Sequence, residues 1–163
     1  MNQPSDAYLD LLKQHWGLSG SLARLPGENL NYRVDDGDTN TFVLKVTTEG
    51  HADLELEEAL IQHLVHATMP VPSSMPAADG RHIVEADLEG HRASMRLQTF
   101  LQGTQWRSTQ SSDELLANIG ASLAKVHLAL ADFDHDAGQR THSWDIAAAQ
   151  QHRPAIEHLQ NEQ

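Results

Sequence analysis

Cysteine is absent from the 163 residues. That removes disulfides, thiolate metal sites and cysteine nucleophiles together. It agrees with a cytoplasmic protein, although an oxidising compartment does not demand cysteine either. Basic residues are scarce: 11 Lys+Arg stand against 23 Asp+Glu, a net charge of −12. A surface of that sign repels phosphate backbones and anionic lipid, so neither nucleic acid nor a membrane is an expected partner. No apolar run approaches the roughly 18 residues of a membrane span. The opening segment, residues 1–10, is neither basic nor continuously apolar, so no secretory leader is read in it. Aromatic residues make up only 5% of the chain and hydrophobic residues 39%. That is low for a globular protein but well above a disordered tail. The length suits one domain or a tight pair of lobes, able to bury about 70% of the unfolded surface. There is no internal repeat and no low-complexity block.

Short apolar runs separated by turn residues occupy the chain up to Gly103, and longer stretches with helical spacing follow. Leu9, Leu12 and Trp16 predict a short helix from about Asp6 to His15, with Ser5 as its cap. Leu18 to Leu25 reads as a strand, Pro26-Gly27-Glu28 as a turn, and Asn31 to Val34 as a second strand. The Asp35-Asp36-Gly37-Asp38 run is a hairpin signal, because Gly37 accepts positive φ. Thr41 to Val46 is a β-branched, apolar third strand. Ala52 to Ala67 is helical, with Leu54, Glu57, Leu60, Ile61 and Leu64 on one face, and Pro70 and Pro72 end it. Arg81 to Glu85 and Ala93 to Leu101 form a further hairpin. Ser111 with Glu114 reads as a capping box opening a helix that runs to about Ala131. Ser143 is expected to cap a last helix. Strands with one inserted helix, followed by helices alone, predict an α+β fold with an antiparallel five-stranded sheet in a first lobe.

The chain holds only three lysines, Lys13, Lys45 and Lys125. Lys45 lies inside an apolar strand, sharing a face with Val43, while Phe42, Leu44 and Val46 take the other. An unpaired ammonium there is costly, so it needs a partner or a solvated edge. Glu57, on the inward face of the following helix, is a candidate partner. A strand lysine held by a helix carboxylate is an arrangement that meets nucleotide phosphates. Taken alone, Lys45 also fits an edge strand beside a solvated helix. The turn at Pro26–Asn31 has one glycine; it could cover phosphates or be a plain hairpin turn.

The stretches Leu25-Pro-Gly-Glu-Asn-Leu-Asn-Tyr-Arg-Val34, Thr41-Phe-Val-Leu-Lys-Val46, Leu54 to Leu64, Met69-Pro-Val-Pro72 and Leu97-Gln-Thr-Phe-Leu-Gln-Gly103 come in a telling order. With Ile119 to His127 and Ser143-Trp-Asp-Ile146, they resemble the aminoglycoside phosphotransferase family, in its hydroxylysine-kinase and homoserine-kinase-like branch. The resemblance implies a protein-kinase-like fold, with residues 1–103 as ATP-binding small lobe and hinge and 104–163 as the helical start of a large lobe. It implies that Lys45 contacts ATP phosphates and that Glu57 pairs with it, with Glu58 as the alternative one residue along. Thr99 and Leu101 match the hinge whose backbone groups bond adenine, Val43 matches a wall of the adenine pocket, and Asn31 lies where the phosphate-covering loop turns back.

The family's catalytic loop, His-x-Asp followed after four residues by Asn, supplies the general base and a magnesium ligand. No such motif occurs in these residues; Asp132-Phe-Asp-His-Asp136 lacks the trailing Asn. The expectation is therefore an ATP-binding part of a small-molecule kinase that stops before the catalytic loop. It would have no catalytic or metal-binding residues of its own, and would use magnesium only in a complete enzyme. The phosphate acceptor expected of that enzyme is a hydroxyl of an amino-alcohol or aminoglycoside-like molecule. A non-catalytic interaction or regulatory module with a kinase-like lobe is the alternative. The 11 histidines, among them His63, His66, His135 and His142, lack a His-Glu-x-x-His pattern and read as structural or solvated. Trp106 and Trp144 read as packing anchors. The broad stripe Leu115, Leu116, Ile119, Leu123, Val126, His127 and Leu130, only partly coverable by Trp144, Ile146 and Ile156, predicts a homodimer through the C-terminal helices.

Overall fold

The structure, a computed structural model, describes residues 6–27, 30–37, 40–47, 51–88, 90–139 and 145–153. The chain divides into two compact units, residues 1–133 and 134–163. The first contains helix α1 (Asp6–Trp16), strands β1 (Ser21–Arg24), β2 (Leu30–Asp35) and β3 (Thr41–Thr47), and helix α2 (His51–His66). Strands β4 (Ser74–Met75), β5 (Val84–Leu88) and β6 (His91–Thr99) follow, then a 3-10 turn at Trp106–Ser108 and helix α3 (Asp113–Ala129).

β1, β2 and β3 are neighbours in chain order, β6 lies beside β3, and all pairings are antiparallel. β6 carries β5 along its first part and β4 along its last, at Leu97 and Gln98. The sheet therefore has six strands, one more than the sequence pattern predicts. The extra strand, β4, is two residues between Pro72 and Pro76, too short to show any alternation. Only its partner β6 makes it a strand.

Alternation sorts the sheet into an apolar and a polar face. Tyr32, Val34, Leu44, Val46, Val84, Met95 and Leu97 are buried together with Leu12 of α1, and Phe42 packs against them. Fully burying each such side chain contributes about 1.5–3 kcal/mol. α1 covers this face: the Tyr8 and Tyr32 ring centroids are 5.1 Å apart, and Trp16 Nε1 donates to the Met75 carbonyl at 3.0 Å. Gly20 has a packing reason of its own, since a Cβ there would stand 1.9 Å from the Asp35 carbonyl oxygen. The β2–β3 turn has Gly37 at φ 88°, as its hairpin signal requires.

α2 lies over the polar face and buries Leu54, Glu58 and Leu64. It ends in a Schellman motif, with Thr68 N–H bonded to the Val65 carbonyl and Met69 N–H to the Leu64 carbonyl, each at 2.9 Å. Thr68 takes the left-handed position, φ 57°, where glycine is usual.

Several local expectations are corrected. β1 is shorter than Leu18–Leu25, and β5 starts at Val84, not Arg81. The cap of α3 is Ser112, whose side chain accepts from Leu115 N–H at 3.2 Å. Ser111 instead accepts from the Trp106 indole at 3.2 Å. Trp106 is exposed and anchors no core. In the second unit, 3-10 turns occupy Asp136–Gln139 and Ile146–His152, the latter capped by Asp145, so residues 146–152 are not the α-helix the pattern predicts, and the rest of that predicted helix lies outside the described residues. Ser5, Ser143, Trp144 and Ile156 lie outside the described residues. Among the described residues no helix is long and apolar enough to cross a membrane.

Candidate functional site

The polar sheet face carries the charged and amide side chains. The register sets Asn31 of β2 opposite Lys45 of β3, and Lys45 opposite Arg96 of β6. One step along, Arg33, Val43 and Gln98 form a second row on the same face. Two cations directly opposite one another repel unless an anion lies between them. That anion is Glu57 of α2. Its Oε2 accepts a hydrogen bond from Arg96 Nη2 and lies 3.7 Å from Lys45 Nζ. The Arg96 bond is the closer of the two, and the Arg96 side chain is only 4% exposed against 33% for Lys45 and 52% for Glu57. Burial alone would raise the Glu57 pKa; the Arg96 hydrogen bond and charge, and then the Lys45 charge, outweigh it and hold the carboxyl below its ordinary 4.5.

Glu58, the alternative partner for Lys45, has other work. It is buried, accepts from Ser74 Oγ at 2.6 Å and Gln62 Nε2 at 2.9 Å, and lies 3.3 Å from His82 Nδ1. It fastens α2 to β4 and to the loop before β5. Adjacent helix positions point about 100° apart, so only one of the two glutamates can meet the cations.

Asn31 Oδ1, Arg96 Nη1 and Gln98 Nε2 are buried without a hydrogen-bond partner among the described residues. An unmet buried polar group costs about 1–3 kcal/mol, so these three atoms stand out on the polar face that also carries Lys45. Cationic donors there suit an anion such as a phosphate. Val43 is half-buried beside Gln98.

At the end of β6, Thr99 N–H donates to the Ser73 carbonyl and Thr99 Oγ1 accepts from Ser73 N–H, both at 2.9 Å. Its amide is thus committed to the connection before β4. Leu101 follows outside the strand and is exposed. The Arg33 guanidinium lies 5.4 Å from the centre of the Phe100 ring, tying this stretch to β2.

Arg96 and Gln98 went unnoticed in the sequence. The signal was there: in Ala93-Ser-Met-Arg-Leu-Gln-Thr99 every second residue is polar, and Ser94, Arg96 and Gln98 are all buried. Histidine chemistry has a plain outcome at His63. Its Nε2 lies 2.7 Å from the Ala129 carbonyl and 3.4 Å from Asp132 Oδ1, against the Phe133 ring. It joins α2 to the end of α3. Among the described residues no group of three or more His, Asp or Glu side chains is placed to hold a metal ion.

Residues 21–163 match the Phosphotransferase enzyme family. The chain belongs to this family. Hydroxylysine kinase of Danio rerio is 26% identical over 136 residues, a stretch that is 77% of this chain and 38% of that protein. Two solved structures share the fold. One is an amicoumacin kinase in complex with AMP-PNP, Ca2+ and Ami, with TM-score 0.72 and 16% identity over 87% of this chain and 45% of its own. The other is a microcompartment-associated aminopropanol kinase, with TM-score 0.69 and 22% identity over 88% of this chain and 46% of its own. The chain thus spans less than half the length of each of these relatives. The α+β, protein-kinase-like fold and the membership of the phosphotransferase family thus agree. In this chain the polar face of the sheet carries the lysine and the arginine, and α2 above it supplies their shared carboxylate.

Proposed function

We propose that this chain is the nucleotide-binding part of a small-molecule kinase. Such an enzyme moves a phosphoryl group from ATP to a hydroxyl of an amino-alcohol or aminoglycoside-like acceptor. The observation that carries the reading is the Lys45–Glu57–Arg96 cluster, two cations sharing one carboxylate beside unpartnered donors. The related amicoumacin kinase was solved with AMP-PNP, which supports a nucleotide as the ligand. In this reading Lys45 meets the phosphates, Glu57 orients it, Val43 lines the adenine pocket, Thr99 and Leu101 bond adenine through the backbone, and Asn31 lies under the phosphate-covering loop. The small lobe and hinge end at Gly103, and residues 104–163 begin the large lobe.

Phosphoryl transfer is catalysed by positioning and charge stabilisation. The 163 residues contain no His-x-Asp-x-x-x-x-Asn motif, so they bind ATP or ADP weakly and do not turn it over. Magnesium belongs to ligands of the complete enzyme. Titration calorimetry with ADP is the test. Lys45→Ala removes the affinity with the fold intact, and Lys45→Arg does not restore it, because a planar fork is not a point charge. Equal ADP affinity in Lys45→Ala, or phosphorylation of an alcohol by this chain alone, overturns the reading.

In this reading the protein works in the cytoplasm, which its lack of cysteine suits. Leu116, Ile119, Leu123 and Leu128 of α3 are exposed, which supports a homodimer through the C-terminal helices. Light scattering over a dilution series decides it; a monomer at every concentration refutes the dimer.

A further inference from the structure

The partner that holds Glu57 most closely is not the lysine. Arg96 and Lys45 approach the same oxygen, Oε2, and only Arg96 is within hydrogen-bond distance. We propose that Arg96 is a positioning residue of the nucleotide site: by taking Glu57 Oε2 itself, it fixes the carboxylate and leaves the Lys45 ammonium free to turn to a phosphate. This rests on the nucleotide-binding reading above.

A carboxylate facing a single lysine would close on it, and a phosphate would then have to break a full ion pair to reach the ammonium. A carboxylate already bonded to a guanidinium attracts the second cation less. At 3.7 Å Lys45 is ion-paired with the same oxygen, but through the longer and looser of the two contacts. Arginine suits the holding role because its charge is permanent and its donors are set in one rigid plane. Burial adds to this: the Arg96 side chain is locked between the sheet and α2, so the carboxylate bonded to it is fixed relative to β3 and β6 as well.

The charges also favour an anion. Two cations and one carboxylate leave a single positive charge on this patch of a chain whose net charge is −12. If Arg96 served the core alone, nothing would require it to share an oxygen with the lysine of the phosphate site. A methionine of similar length would pack there without the desolvation cost of a charge.

The test uses the 163-residue chain as wild type, Arg96→Met and Arg96→Lys. ADP and adenosine are titrated by calorimetry, and the Lys45 side chain is followed by NMR, where three lysines make assignment simple. In Arg96→Met, Lys45 closes on Glu57. Its methylene resonance next to the ammonium moves before any nucleotide is added, ADP affinity falls about tenfold, the scale of one charge-assisted hydrogen bond, and adenosine affinity stays within about twofold. Arg96→Lys restores part of the ADP affinity and retains the fold if Arg96→Met does not. A folded Arg96→Met with unchanged ADP affinity and an unmoved Lys45 resonance overturns the proposal. If Arg96→Met does not fold, the same two results in Arg96→Lys overturn it. A wild type that binds neither ADP nor adenosine, while the Lys45 resonance still moves in Arg96→Met, overturns the nucleotide reading and leaves the control of Lys45 by Arg96 standing.

Discussion

Replacing Glu57 by glutamine removes the one negative charge between Lys45 and Arg96. The amide keeps an acceptor oxygen, so the hydrogen bond from Arg96 weakens rather than vanishes. A hydrogen bond to a charged group contributes about 1.5–3 kcal/mol, and a neutral one about 0.5–1.5 kcal/mol. The loss from this source is therefore about 1 kcal/mol, the lower end applying because Glu57 is half exposed. The two cations are then left facing each other. At the ~5.5 Å spacing of paired strands their repulsion is about 1–3 kcal/mol for effective dielectrics between water and a protein surface. Lys45 can swing into solvent, so the smaller value is the realistic one. Glu57→Gln is expected to destabilise the chain by about 2 kcal/mol. The Lys45–Glu57 pair alone, with longer spacing and a partly exposed lysine, contributes about 0–0.5 kcal/mol. Urea unfolding of wild type, Glu57→Gln, Arg96→Met and the double variant gives the coupling, provided the slope is unchanged. A coupling of about 1.5 kcal/mol is expected between Glu57 and Arg96, surviving in 1 M salt because the guanidinium is buried. Additive losses, within about 0.5 kcal/mol, would show that the Arg96 bond does not organise the site.

Acid should expose the same interaction. The folded pKa of Glu57 lies below its ordinary 4.5. Its contribution is thus complete above about pH 4.5 and is lost as pH falls through the lower folded value. Denaturation at about pH 6 and about pH 3.5 should narrow the stability gap between wild type and Glu57→Gln at the acid end. A gap that widens with acid reverses the sign and refutes the assignment. At the end of α2, Thr68 holds a left-handed φ of 57°. Thr68→Gly should raise stability by about 0.5–1 kcal/mol, and a drop in the urea midpoint would mean that its side chain contributes more than its backbone costs. At the start of α3, Ser112→Ala should cost about 1 kcal/mol through the lost cap and Ser111→Ala clearly less; equal losses would reopen the assignment of the cap.

Local chemistry made much of this protein legible in its sequence. Alternation along Thr41–Val46 separates Lys45 and Val43 from Leu44 and Val46, and burial follows that division. The Asp-Asp-Gly hairpin signal works because positive φ is a property of one residue, Gly37. The helical spacing from Leu54 to Leu64 places α2 correctly, and the order of motifs along the chain pointed to the phosphotransferase family before any fold was known. Other features depend on neighbours far away in sequence. β4 exists only because β6 offers it a ladder, and two residues carry no period of their own. The choice between Ser111 and Ser112 as cap turns on a shift of one residue, finer than hydrophobic spacing resolves. The same limit left Glu57 and Glu58 as alternatives until the packing of α2 sent one to the cations and the other to Ser74 and His82. Arg96 is the clearest case. The alternation of β6 puts it on a polar face, but its burial, its claim on Glu57 and its place opposite Lys45 follow from strand register and helix docking, which join residues 39 apart in the chain. Electrostatic partnership is a property of three-dimensional distance, and only the tertiary structure sets it.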